Sequence, residues 1–143
     1  MPAGYVVDHP PVPVVVAHVV FSGFPGGVSK WIEFLADTGA DATVIHPYNS
    51  IRIFDTDEAW EWVMSHPASR YGGAGGGLPH YRVAADITFR HDDGSVTEFP
   101  ASLFVAHPQP TNRYYESLLG RDVLQHFVTT FNRTSGVTLE LPA

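Results

Sequence analysis

The sequence predicts an all-β chain, mainly strands with one or two short helices, and three observations lead there. Runs rich in β-branched and aromatic residues, such as Val12 to Phe21 and Val28 to Ala36, are short and bounded by glycine and proline. Apolar and polar residues alternate from His80 to Arg90 and from Val96 to Ala106 around Asp92-Asp93-Gly94, the pattern of a hairpin with an Asp-Gly turn. Clear helical signals gather in one place, Asp55 to Ser65.

Taken in order, residues 1–11 form a proline-rich arm, loose or pairing at a sheet edge. Val12 to Phe21 is the first strand, the turn Ser22 to Gly27 follows, and Val28 to Ala36 returns as its hairpin partner. After a second turn, Ala42 to Ile45 resumes an apolar strand that Pro47 ends. Residues 46–70 hold the helix. Asp55 or Asp57 is placed to cap it, and Trp60, Val63 and Met64 share one buried stripe. Five glycines fill six positions from Gly72 to Gly77. Beyond the long hairpin, the segment Ser117 to Phe127 starts as a strand and turns at Gly120 into a short helix. Thr129 to Phe131 and Val137 to Leu141 make a last hairpin.

Composition narrows the function classes. A chain of 143 residues is read as one domain, 1–143, able to bury roughly 70% of its extended surface. Hydrophobic residues at 44% against 16% charged exclude a disordered tail. A net charge of −7 with 8 Lys and Arg argues against nucleic acid, which demands basic clusters. Without cysteine there is no disulfide or thiolate site. No apolar run has the length of a membrane span and the start lacks a signal-peptide pattern, so a cytoplasmic protein without membrane contact is expected. Eight histidines invite a metal reading, but His9, His46, His66 and His107 precede proline and the others are scattered without paired spacing. Neither metal nor cofactor is expected, and solvated or locally bonded histidines are the reading.

The segment with the strongest chemical content runs from Phe34 to Ile45. Asp37-Thr38-Gly39 leaves an apolar strand straight into a turn and is followed by Ala40 and Asp41. A carboxylate placed there must be hydrogen-bonded or shift its pKa. Thr38 offers a hydroxyl, and Gly39 lets backbone amides approach the carboxylate. Such an acid suits work on water. A plain turn-capping aspartate is the bland competitor.

Two further segments join it. With Gly72-Gly73-Ala74-Gly75-Gly76 and Leu118-Leu119-Gly120-Arg121-Asp122, the Asp37 loop resembles the retropepsins, the retroviral-type aspartic proteases that include single-domain bacterial members. The likeness runs from about Val28 to Phe131. It implies a closed β-barrel of the acid-protease type with one lobe per chain. Asp37 becomes the catalytic acid, Thr38 locks the loop against its symmetry mate, and Gly39 shapes the turn. Ala40 and Asp41 would hold the substrate backbone, Asp41 pairing with Arg121. Gly72, Gly73, Ala74, Gly75 and Gly76 would form the tip of a flap over the substrate, while Gly120, Arg121 and Asp122 support the site from beneath. Residues 46–70 are longer than the compact viral enzymes need, and Ala74 stands where those often carry a larger apolar residue.

The chemistry agrees. Peptide hydrolysis without a metal or nucleophile needs one carboxylate to deprotonate water and a second acid to protonate the carbonyl. Asp-Thr-Gly occurs once in this sequence, so the second carboxylate comes from a second copy and an isologous homodimer is implied. The glycine-rich segment has two alternatives, a flexible structural loop and a phosphate-binding loop, and the latter is disfavoured because no Lys-Ser or Lys-Thr follows and Pro79 blocks an immediate helix. The expectation is an aspartic endopeptidase acting on an extended peptide or protein at acidic to mildly acidic pH. The alternatives are a peptide-binding or dimerisation module of the same fold and a self-processing domain of a longer precursor.

Overall fold

The computed structural model describes residues 12–70, 77–134 and 136–143. Strands β1 (Val14–Phe21) and β2 (Val28–Ala36) form an antiparallel hairpin from Val14 opposite Leu35 to Phe21 opposite Val28. The period-2 pattern of β1 sends Ala17, Val19 and Phe21 inward and leaves Val14 and Val16 outside. The predicted arm, residues 1–11, lies outside the described residues.

After the Asp37 turn come β3 (Val44–Ile45), helices α1 (Pro47–Ile53) and α2 (Asp57–Met64), and β4 (Ala68–Arg70). The long hairpin is β5 (Pro79–Arg90) with β6 (Val96–Ala106), closed by Gly94 at φ 86°. Then follow β7 (Ser117–Leu119), α3 (Arg121–Leu124) and the terminal hairpin β8 (Val128–Asn132) with β9 (Gly136–Glu140). The main sheet runs β1-β2-β7-β3-β6-β5-β4, and β5 pairs back onto β1 through His18–Thr88, Val19–Ile87 and Val20–Asp86. Six strands thereby close a barrel with β4 outside it, an arrangement of the retropepsin type.

The barrel interior is filled by Val19, Phe21, Ile32, Phe34, Val83, Ile87 and Leu103, all at most 1% exposed. Ile53, Phe54, Ala59 and Val63 of the 46–70 segment belong to the same core, with the Phe54 ring 5.2 Å from that of Phe21. A buried aliphatic or aromatic side chain contributes about 1.5–3 kcal/mol, so this segment is anchored on the barrel and is not a loose excursion.

Three details differ from the sequence expectation. Pro47 opens a helix as well as ending a strand: proline occupies the first helical turn of α1, where its missing N–H costs nothing. The cap of α2 is Thr56, whose hydroxyl accepts from the Ala59 N–H at 3.1 Å, and neither Asp55 nor Asp57 serves. Its buried stripe is Ala59 and Val63, while Met64 is 43% exposed. Trp60 and Trp62 pack instead from the flanks, edge-on to Phe54 and Phe24 respectively. Among the described residues no helix is long and apolar enough to cross a membrane.

Candidate active site

Parallel pairing places the Asp37 loop. β2 runs beside β7 with Phe34, Leu35 and Ala36 opposite Ser117, Leu118 and Leu119. One residue further the Asp37 N–H donates to the Leu119 carbonyl at 3.0 Å, so the aspartate leaves the barrel wall in a fixed direction. The turn closes when the Ala40 N–H donates to the Asp37 carbonyl at 3.2 Å, and the Gly39 N–H donates to Asp37 Oδ1 at 2.8 Å. Asp37 is partly exposed, and Thr38 and Gly39 are exposed. The Thr38 hydroxyl makes no hydrogen bond among the described residues of the single chain.

Beneath the loop, β7 and α3 act as a strap. The Arg121 N–H donates to the Ala40 carbonyl at 2.9 Å and the Asp122 N–H to the Asp41 carbonyl at 3.3 Å. The guanidinium of Arg121 pairs with the Asp41 carboxylate, both side chains being largely exposed. Gly120 is buried in the crossing: a Cβ there would lie 2.5 Å from both the carbonyl carbon and the oxygen of Ala42 and 3.0 Å from the Ala40 oxygen. Real side chains do not tolerate that approach to backbone, so glycine is required by contact with the loop.

Thr43, which the sequence reading passed over as part of an apolar strand, is the centre of this strap. It is fully buried. Its N–H donates to Asp122 Oδ2 at 3.0 Å, its hydroxyl donates to Asp122 Oδ1 at 2.8 Å, and the same hydroxyl accepts from the Gly120 N–H at 3.0 Å. Asp122 Oδ1 also accepts from the Val123 N–H at 2.9 Å, within the first turn of α3. A hydroxyl alone in an apolar run must be bonded once buried, and that was the available signal.

Asp37, Thr38, Gly39, Ala40, Asp41, Gly120, Arg121 and Asp122 thus come together in one place. Gly72, Gly73, Ala74, Gly75 and Gly76, the predicted flap tip, lie outside the described residues. The flanking strands do pair: β4 runs antiparallel to the start of β5, with Arg70 opposite Pro79.

A second missed group sits behind β3. His46 is half-buried against His80 and Tyr115, with ring centroids at 6.3 and 5.6 Å, and its Nδ1 has no hydrogen-bond partner among the described residues. Burial, with His80 adding charge repulsion, pushes its pKa down to about 4. His46 is therefore a neutral, packed residue, its ring neither solvated nor locally bonded at Nδ1, contrary to the sequence expectation. His66 and His80 are locally bonded as expected, to the carbonyls of Trp62 and Leu78.

A comparison with curated proteins gives no match to this chain. The profile of the retroviral aspartyl protease family matches residues 12–132, a span that includes the six barrel strands, the Asp37 loop and its α3 strap. The chain belongs to the retroviral aspartyl protease family.

Proposed function

We propose that the protein is an aspartic endopeptidase whose active site forms between the Asp37 loops of two identical chains. The observation that carries this reading is a partly exposed Asp37 carboxylate, fixed at a barrel edge by Gly39 and Leu119 and present once per chain. Two such carboxylates about 3 Å apart share one proton, as the paired aspartates of aspartic proteases generally do. The ionised member takes a proton from water while the protonated member gives one to the scissile carbonyl. Thr38, exposed and without a hydrogen bond among the described residues, is available to bond across the two-fold axis. Asp41, neutralised by Arg121, offers its carboxylate to substrate backbone N–H groups without leaving a bare negative charge in the site. The glycine-rich segment following β4 closes over an extended peptide that adds as a strand.

The test is digestion of a diverse peptide mixture by wild type and Asp37→Asn between pH 4 and 7, read by mass spectrometry. Cleavage by wild type alone, rising more than linearly with enzyme concentration, is the expected result. No cleavage by either at concentrations where the protein is dimeric would leave a peptide-binding module of the same fold.

A further inference from the structure

Beside the Asp37 loop a cleft of about 510 Å³ opens between α3 and strands β5 and β6. Asp41 stands at its edge, and Arg82, Phe99, Phe104, Asp122 and His126 contribute to its walls. Its apolar surface carries two aromatic contacts. The Arg82 guanidinium lies 4.8 Å from the centre of the Phe104 ring, and His126 packs on Phe99 with ring centroids 4.7 Å apart.

The acids of this cleft are already bonded, and its arginine has no carboxylate partner among the described residues. Asp41 is paired with Arg121. Both oxygens of Asp122 are engaged, by the Thr43 N–H and hydroxyl and by the Val123 N–H. Arg82 has no carboxylate partner among the described residues. Asp86, the next acid on that face of β5, sits opposite Pro100 rather than Phe104 and does not line the cleft. The formal charges of Asp41, Asp122, Arg82 and Arg121 balance, but both acids are already bonded, so the group this cleft leaves available is the Arg82 guanidinium stacked on Phe104. A guanidinium stacked by one face on an aromatic ring keeps its N–H edge available to fork a carboxylate.

We propose that this cleft receives acidic residues of the substrate peptide beyond those held at Asp41, and so selects peptides with acidic extensions. The inference rests on the protease reading for the identity of its occupant. Continuity supplies the link, since Asp41 belongs at once to the catalytic loop and to the edge of the cleft. In a two-fold dimer there is one such cleft for each end of the peptide.

The experiment uses the full chain carrying Asp37→Asn and fluorescent peptides with one apolar core, Ala-Val-Leu-Phe-Ala-Val, flanked at both ends by Glu-Glu, Gln-Gln or Lys-Lys. Binding is read by anisotropy, and wild type is tested for cleavage of the same three peptides. The expected order of affinity is Glu over Gln over Lys, with Glu about tenfold tighter than Lys at low salt and the gap narrowing as salt rises. Arg82→Ala should reduce the gap to less than about twofold, and Arg82→Glu should reverse the order. Arg82 is exposed, and its main-chain bond to the Pro67 carbonyl does not depend on its side chain. Equal affinities, no measurable binding of any peptide, or a Glu preference that survives Arg82→Glu would each overturn the proposal. Cleavage of all three peptides without a Glu preference sinks the cleft and leaves the protease reading standing. A Glu preference that Arg82→Glu reverses, without cleavage by wild type, sustains the acidic-peptide site and removes the protease reading.

Discussion

Replacing Thr43 by valine keeps the shape of the side chain and deletes its hydroxyl. Two hydrogen bonds go with it, the one accepted from the Gly120 N–H and the one donated to Asp122 Oδ1. The two losses are unequal. Asp122 Oδ1 keeps the Val123 N–H, whereas the Gly120 N–H is left buried without a partner. An orphaned buried donor costs about 1–3 kcal/mol and an ordinary lost bond about 1, so a loss of roughly 2–4 kcal/mol is expected. For a chain of this size that lowers Tm by roughly 6–15 °C. Urea and thermal unfolding, followed by tryptophan fluorescence at one fixed protein concentration, measure it; the concentration must be held because assembly adds to apparent stability. Thr43→Ser is the control. It retains both bonds and sacrifices one buried methyl, about 1 kcal/mol. The ordering wild type, Ser, Val separates hydrogen bonding from packing. A valine variant as stable as wild type, or a serine variant that falls as far as valine, would refute the strap as described.

Gly120→Ala pushes a methyl into the Ala42 carbonyl, and since backbone cannot yield as a side chain does, a loss above about 3 kcal/mol or failure to fold is expected in a soluble-expression and melting assay. Asp37→Asn should retain the melting temperature within about 2 °C while abolishing peptide cleavage, because its side chain is partly exposed and its main-chain bonds remain. The pKa of His46, lowered from 6.5 to about 4, makes folding weaker as pH falls through that interval, since the unfolded chain takes up a proton that the folded chain refuses. Discounted for partial exposure the effect is about 1–2 kcal/mol; a His46→Leu variant should flatten the curve of stability against pH between 6.5 and 4, and an unchanged slope would sink the assignment.

The parts of this fold that were legible in the sequence are those whose cause is local. Asp92-Asp93-Gly94 announces its hairpin because Gly94 adopts φ 86°, and β2 ends where Asp37 interrupts an apolar run. The positions that escaped are those with tertiary causes. Thr43 reads as an ordinary β-former until Asp122, 79 residues away, is brought to its hydroxyl and amide. Gly120 is legible as a turn, but its real constraint is that any Cβ there would lie 2.5 Å from the Ala42 backbone, which no local pattern encodes. Pro47 is ambiguous by nature, since proline both stops a strand and starts a helix, and only the packing of Ile53 and Phe54 into the barrel decides. His46 escaped for a similar reason: a histidine before proline looks solvated until Tyr115 and His80 close around it.

The proposed Asp37 pair and His46 place opposite demands on pH. On the proposed mechanism one of two Asp37 carboxylates must hold a proton, which favours acid. Folding favours the reverse, because His46 resists protonation until pH approaches 4 while the unfolded chain accepts a proton near 6.5. Thr43 of the strap and His46 lie at opposite ends of one short stretch, separated by Val44 and Ile45 of β3. Ser117 adds a further tie, accepting from the His46 N–H at 3.1 Å and donating to Asn49 at 2.6 Å from the first residue of the strand that leads to Gly120. His46 is thus tied to both sides of the Asp37 loop, through β3 to Thr43 and through Ser117 of β7 toward Gly120. Activity on the acid side should fall where His46 takes up its proton, and His46→Leu should extend it to lower pH while leaving the alkaline limb in place.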